Sequence, residues 1–254
     1  MKQRTKVGSD MQVAEAEKIK RTVLVTGHAS GIGRYAAVQF YHAGFNVIGM
    51  DTIFSDVLDK SITQIICDLS NWEEAEQAFA RIESLDYAVN CAGVTGVRKP
   101  LSDLASTEMV QSYRQIFMPA FHACKLEARK MQGNGVVSKI VNVASSTASV
   151  GAKGMAAYSS AKAAIVNLTK VCAVEFAPGI LINSISPATI DTPMIRNKYA
   201  GHLPDYSQAY LTGRCGTVED VWSAIHFLLQ NDFMTGSDIV MDGGYSALFA
   251  LQLK

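Results

Sequence analysis

An α/β fold built on one doubly wound parallel sheet of about seven strands, with helices on both faces, is predicted by three features of the sequence. Short, nearly all-apolar runs of strand character recur along the chain, each separated from the next by a helical stretch, so each is expected to be buried on both faces. Small and polar residues collect where those runs end, at Thr26-Gly27, Asp51, Asp68, Asn90 to Gly93, Ser145 and Pro187. In such a sheet the ligand crevice lies outside the carboxyl ends of the strands, so these tips point to one shared site. With 254 residues, 48% of them hydrophobic and 18% charged, the chain is long enough for one large packed domain.

The first 20 residues, MKQRTKVGSDMQVAEAEKIK, are polar and lack the apolar core of a signal peptide. They read as a flexible extension in which Met11 is an alternative start to Met1, and residues 21–254 read as a single domain. TVLVT (22–26) is a β-branched strand, GHASGIG (27–33) a turn, and RYAAVQFYHAG (34–44) an amphipathic helix stopped at Gly44. NVIGM (46–50) is a buried strand ending at Asp51, and QIICDLS (64–70) is another, leading to Asn71 as N-cap of WEEAEQAFARIES. DYAVN (86–90) precedes a helix over about 103–131, then the strand-forming VVSKIVNVAS (136–145) and a helix carrying Tyr158 and Lys162. ILINSIS (180–186), a Pro- and Gly-punctuated loop over 187–213, the helix TVEDVWSAIHFLLQ (217–230) and the strand DIVMD (238–242) complete the order. No repeat, low-complexity tract or linker divides it.

Lys+Arg and Asp+Glu both number 23, so there is no net charge to suggest a nucleic-acid or anionic-membrane partner. No apolar run approaches the roughly 20 residues of a membrane span. The five Cys are scattered, odd in number and without a CxxC pair, which suits buried thiols in a reducing, cytoplasmic setting better than disulfides or a metal site.

The turn TGHASGIG places Gly27, Gly31 and Gly33 between a strand and a helix. Glycine permits positive φ and lets a pyrophosphate approach the backbone, and the helix N-terminus offers free N–H groups to it. Asp51 closes the second strand, where a carboxylate accepts hydrogen bonds from an adenosine ribose and repels a 2′-phosphate. No Arg or Lys lies between Gly27 and Gly33 or at Thr52 and Ile53, so NAD is favoured over NADP. Asp68 suits either an adenine edge or a helix cap. Farther on, Tyr158 and Lys162 stand four residues apart on one helical face, and Ser145 precedes Tyr158 by 13 residues at a strand end. A phenol, an ammonium and a hydroxyl together suit proton transfer to or from a carbonyl oxygen.

From about Arg21 to Tyr245 the chain resembles the short-chain dehydrogenases/reductases, a family with a Rossmann-type fold. T-G-x-x-x-G-x-G appears as Thr26 to Gly33, and N-N-A-G as Asn90-Cys91-Ala92-Gly93 with one departure. Y-x-x-x-K appears as Tyr158 to Lys162 with the serine at Ser145, and P-G-x-x-x-T as Pro187 to Thr192 with Ala188 for Gly. The resemblance implies Tyr158 as general acid/base, Lys162 bonding the nicotinamide ribose and lowering the Tyr158 pKa, and Ser145 holding the substrate oxygen. It implies the cofactor contacts Gly27, Ser30, Gly31, Ile32, Gly33, Asp51, Asp68, Leu69, Asn90, Ala92, Gly93, Pro187, Ile190 and Thr192, beside Tyr158 and Lys162. The implied activity is NAD-dependent interconversion of a secondary alcohol and its ketone. The implied assembly is a homotetramer or dimer, with which the apolar tail YSALFALQLK is compatible.

One departure stands out. Where the family commonly carries an Asn that holds a relay water, this chain has Ile116, with Gln115 beside it and Pro119 near. The tyrosine chemistry is expected to survive with its proton relay rerouted, through a backbone carbonyl freed by a proline kink. The alternatives are an NAD-binding regulatory or scaffold protein with weak catalysis, and a non-redox lyase or epimerase on the same fold. The substrate walls are expected at 94–102, 146–156 and 189–213, the last as a lid, with Arg98, Lys99, Lys153 and Arg196 offering positive charge to an acidic substrate.

Overall fold

Each apolar run of the sequence forms a strand of one sheet. In chain order the elements are β1 (Thr22–Thr26), α1 (Gly31–His42), β2 (Asn46–Asp51), β3 (Thr63–Ile66), α2 (Trp72–Ala80), β4 (Tyr87–Asn90) and α3 (Ser106–Met131). There follow β5 (Ser138–Val143), α4 (Ala156–Phe176), β6 (Ile180–Pro187), α5 (Pro193–Lys198), α6 (Val218–Gln230) and β7 (Asp238–Met241). The structure, a computed structural model, describes residues 20–247. The N-terminal extension with Met1 and Met11, and the end of the apolar tail, lie outside the described residues.

The seven strands pair in parallel in the order β3-β2-β1-β4-β5-β6-β7. From β1 the chain moves outward to β2 and β3, then returns across to β4. Strand order therefore reverses between β1 and β4, and there the crevice of such a sheet opens. Alternation along β1 sends Val23 and Val25 to one face and Leu24 to the other, all fully buried. Val23 and Val25 pack with Phe40 of α1 and Ile225 of α6, while Leu24 packs with Phe79 of α2 and Met131 of α3.

Local signals set most boundaries. Asn71 caps α2, its side-chain oxygen accepting from the N–H groups of Glu73 at 3.0 Å and Glu74 at 3.3 Å. Thr217 and Asp220 form a reciprocal capping box at α6. Several boundaries differ from expectation: β3 ends at Ile66 instead of running to Ser70, and α2 ends at Ala80. Helix α1 begins at Gly31, because the glycine turn already holds the first helical residues. Strand β5 is confined to Ser138–Val143, since Val136 and Val137 are exposed. The 187–213 stretch contains a short helix, α5, started by Pro193 at its first position. Helix α3 stays continuous over 26 residues with Pro119 inside it.

Candidate functional site

A cavity of about 930 Å³ runs along the carboxyl ends of the strands on either side of the switch point. Of the residues singled out from the sequence, Gly27, Ser30, Gly31, Ile32, Gly33, Asp51, Asp68, Leu69, Ala92, Gly93 and Thr192 line it. Asn90, Pro187, Ile190 and the trio Ser145, Tyr158 and Lys162 are not among its lining residues.

The glycine turn is a cradle that side chains would fill. Gly27 and Gly31 have φ of 69° and 52°. A Cβ on Gly27 would lie 2.9 Å from the Ala92 nitrogen, and one on Gly33 would lie 2.2 Å from the Gly27 carbonyl oxygen. Ser30 caps α1 with extended backbone and no side-chain hydrogen bond, which leaves the first N–H groups of α1 free for an anion. Across the turn sits Thr192, whose Cγ2 would be 3.2 Å from a Cβ on Gly31.

Asp51 is braced from both sides. One carboxylate oxygen accepts the Ala29 N–H at 3.0 Å and the other the Thr52 N–H at 2.8 Å. Asp68 is exposed and accepts the Ser70 N–H at 2.8 Å, shaping the turn into α2, while the cap itself is Asn71.

Asn90, expected as a cofactor contact, is not among the lining residues and bonds within the fold. Its side-chain nitrogen donates to Glu127 Oε2 and to Asn142 Oδ1, each at 2.9 Å, inside the sheet–helix interface. It ties β4 to β5 and α3, as a buried amide must find partners. Glu127 is fully buried, its Oε1 has no partner, and desolvation pushes its carboxyl up to about 8.

Strand β5 and helix α4 bring the trio together. The Lys162 ammonium donates to the Val143 carbonyl at 2.9 Å and lies 5.8 Å from the Tyr158 ring centroid. Burial draws Lys162 down to about 8. Tyr158 is raised above the ordinary tyrosine value by burial of its hydroxyl end, with hydrogen bonding to Ser145 acting the other way. The expectation that Lys162 lowers the Tyr158 pKa is thus not met: the ammonium is engaged by Val143, and desolvation dominates. Lys162 borders the cavity where Val143 and Gly93 form its wall; a Cβ on Gly93 would be 4.0 Å from Lys162 Nζ. Beside Lys162, the Cys91 thiol is pushed up to about 12 by desolvation, as suits a packing residue.

Ile116 is fully buried, packed with Ala120, Ala144, Ala161 and Ile165. Pro119 has no N–H, so the Gln115 carbonyl lacks its usual helical donor, and both residues line the cavity. Met194, from the expected 189–213 wall, lines it too; Val110, Gln111 and Arg114 also line it and were missed, the only signal being a helical spacing of three to four along α3. Two cations expected to await an acidic substrate are already paired, Lys99 with Glu108 at 2.5 Å and Arg196 with Asp191 at 2.6 Å. Among the described residues, no group of three or more His, Cys, Asp or Glu is placed to hold a metal, and no helix is long and apolar enough to cross a membrane.

A family model described as enoyl-(acyl carrier protein) reductase, one of the short-chain dehydrogenase models, matches residues 27–246. The chain belongs to the short-chain dehydrogenase/reductase family. Relatives in this family include the L-xylulose reductase of Cavia porcellus, 31% identical over 89% of this chain and 97% of that protein. The carbonyl reductase [NADPH] 2 of Sus scrofa is 32% identical over 88% of this chain and 96% of its own length. The NAD-dependent glycerol dehydrogenase of Listeria innocua is 32% identical over 89% and 94%. Among solved structures, the aldohexose dehydrogenase of Thermoplasma acidophilum superimposes with a TM-score of 0.85 at 28% identity, over 92% of this chain and 97% of that one. Membership places this short-chain dehydrogenase/reductase among the oxidoreductases.

Proposed function

We propose that this chain is an NAD(H)-dependent oxidoreductase that interconverts a secondary alcohol and its ketone, with Tyr158 as general acid/base. The observation that carries the reading is the Ser145–Tyr158–Lys162 trio, whose Lys162 borders a dinucleotide-sized cavity. Gly27, Gly31 and the N-terminus of α1 would hold the pyrophosphate, Asp51 the adenosine ribose and Thr192 the nicotinamide end. When bound, the dinucleotide supplies the hydride acceptor or donor. Ser145 orients the substrate oxygen, Tyr158 gives or takes its proton, and Lys162 would bond the nicotinamide ribose.

Preference for NAD rests on Asp51, whose carboxylate would face and repel a 2′-phosphate. Relatives named for NAD and for NADPH both occur, so the choice is made by these local residues. Kinetics with NAD⁺ and NADP⁺ in parallel, against secondary alcohols and polyols, test it. At least tenfold higher kcat/KM with NAD⁺ is expected, about 1.4 kcal/mol of discrimination; a preference for NADP⁺ overturns the Asp51 argument.

The proton leaves by a route that avoids residue 116. The Gln115 carbonyl, freed by Pro119, is the acceptor available to a relay water. Ile116 is also the observation favouring the second reading, a dinucleotide-binding regulator with weak turnover. That protein would bind NADH yet oxidise none of the alcohols.

A further inference from the structure

His28 follows Gly27 in the turn, yet its side chain is fully buried and takes no part in the phosphate cradle. It crosses beneath the turn to β3. The crossing passes over Gly49 of β2, which is paired in register with Val25 on one side and Gln64 on the other. A Cβ on Gly49 would stand 2.4 Å from Cγ and Cδ2 of the imidazole, so the missing side chain is the gap the ring occupies.

On the far side, His28 Nε2 meets Gln64 Oε1 at 2.8 Å. Gln64 clamps the Ser55 peptide at two points: its Oε1 accepts the Ser55 N–H and its Nε2 donates to the Ser55 carbonyl, both at 2.9 Å. Because Oε1 accepts from Ser55, His28 Nε2 is the donor of the shared bond. Ser55 is only 5% exposed, whereas Ile53 and Phe54 before it are 60% and 65% exposed. Between Asp51 and the core residue Leu58, the buried anchor is Ser55, held through an amide that His28 holds in turn. That segment includes Thr52, which lines the cavity and donates to Asp51.

We propose that His28 is a positioning residue for dinucleotide binding: through Gln64 and Ser55 it fixes the Thr52–Ser55 segment, and with it Asp51, against the glycine turn. The proposal rests on reading the cavity as a dinucleotide site. His28 touches no dinucleotide itself; it sets the width of the adenosine end.

The test uses the full chain and the variants Gln64→Leu, His28→Ala, Gly49→Ala and the double variant His28→Ala/Gly49→Ala. Three quantities are read: the Kd for NADH by fluorescence, the split between KM and kcat, and amide hydrogen exchange of the peptide covering residues 52–58. Gln64→Leu and His28→Ala are each expected to raise Kd and KM for the dinucleotide about tenfold at unchanged kcat, and to speed exchange over 52–58. Gly49→Ala should have the same effect in the parent but add nothing in the His28→Ala background, since the clash is then gone. Unchanged exchange and Kd in Gln64→Leu and His28→Ala, or Gly49→Ala effects that simply add, would overturn the proposal. A parent chain that binds neither NADH nor NADPH would instead sink the cofactor reading, and the exchange and additivity arms would still decide the role of His28.

Discussion

In the proposed reaction Tyr158 enters as a phenol that burial makes harder to ionise, which keeps it protonated and available to a carbonyl oxygen. Reduction should accordingly be near its plateau at neutral pH. It should fall as pH passes about 8, where the desolvated Lys162 gives up its charge. A pH–rate profile checks this, and Lys162→Arg should move the alkaline limb upward, because a guanidinium keeps its proton. Glu127 carries a separate pH signature, in stability. Its folded pKa of about 8 lies above the usual carboxylate value, so the unfolded chain releases this proton first. Stability from this group is greatest at acid pH and declines as pH rises toward 8, by at most about 1.4 kcal/mol per pH unit. Glu127→Gln should flatten that decline, and the difference in Tm between variant and parent should widen from pH 5 to pH 8; a constant difference would show that Glu127 does not titrate there. Asn90 illustrates the limit of reading residues from motifs. The N-C-A-G pattern locates a strand tip correctly, but the direction of one amide depends on Glu127 and Asn142, which lie far away in sequence.

Helices position the chemistry, and α3 is the least usual of them. Ile116 fills with hydrocarbon the place where a side chain could hold a water, and it packs against the same cluster that supports Tyr158. Ile116→Asn should therefore cost stability while changing kcat only a few-fold, if the proposed relay runs past Pro119. A large gain in kcat would mean that the parent lacks a working relay. Caps contribute at this scale too. Asn71→Ala should lower unfolding free energy by about 1 kcal/mol, because it leaves the Glu73 and Glu74 N–H groups without their acceptor. Denaturant unfolding measures it. The capped helices α2 and α6 were legible because cap and apolar period agree, as at Asn71 and Thr217. Helix α5 was hidden by its brevity, and the share of α3 in the cavity depends on how it docks on the sheet.

At the scale of the whole molecule, one reversal of strand order gathers Gly27, Asp51, Gly93 and Thr192 along a single cavity, with Lys162 of the trio bordering it. The arrangement was legible because parallel strands with polar tips have few ways to be joined. The ion pairs Lys99–Glu108 and Arg196–Asp191 were not, since they depend on loops meeting in space, and they remove two cations from the expected recognition of an acidic substrate. What unites the fold and the site is the claim that bound nicotinamide is placed beside Tyr158. The most direct test follows reduced-nicotinamide absorbance during carbonyl reduction by the parent and by Tyr158→Phe, with NADH affinity measured for both. The account predicts turnover in the parent, a loss of roughly a hundredfold or more in the variant, and nearly equal NADH affinity. Equal turnover in the two proteins would contradict it.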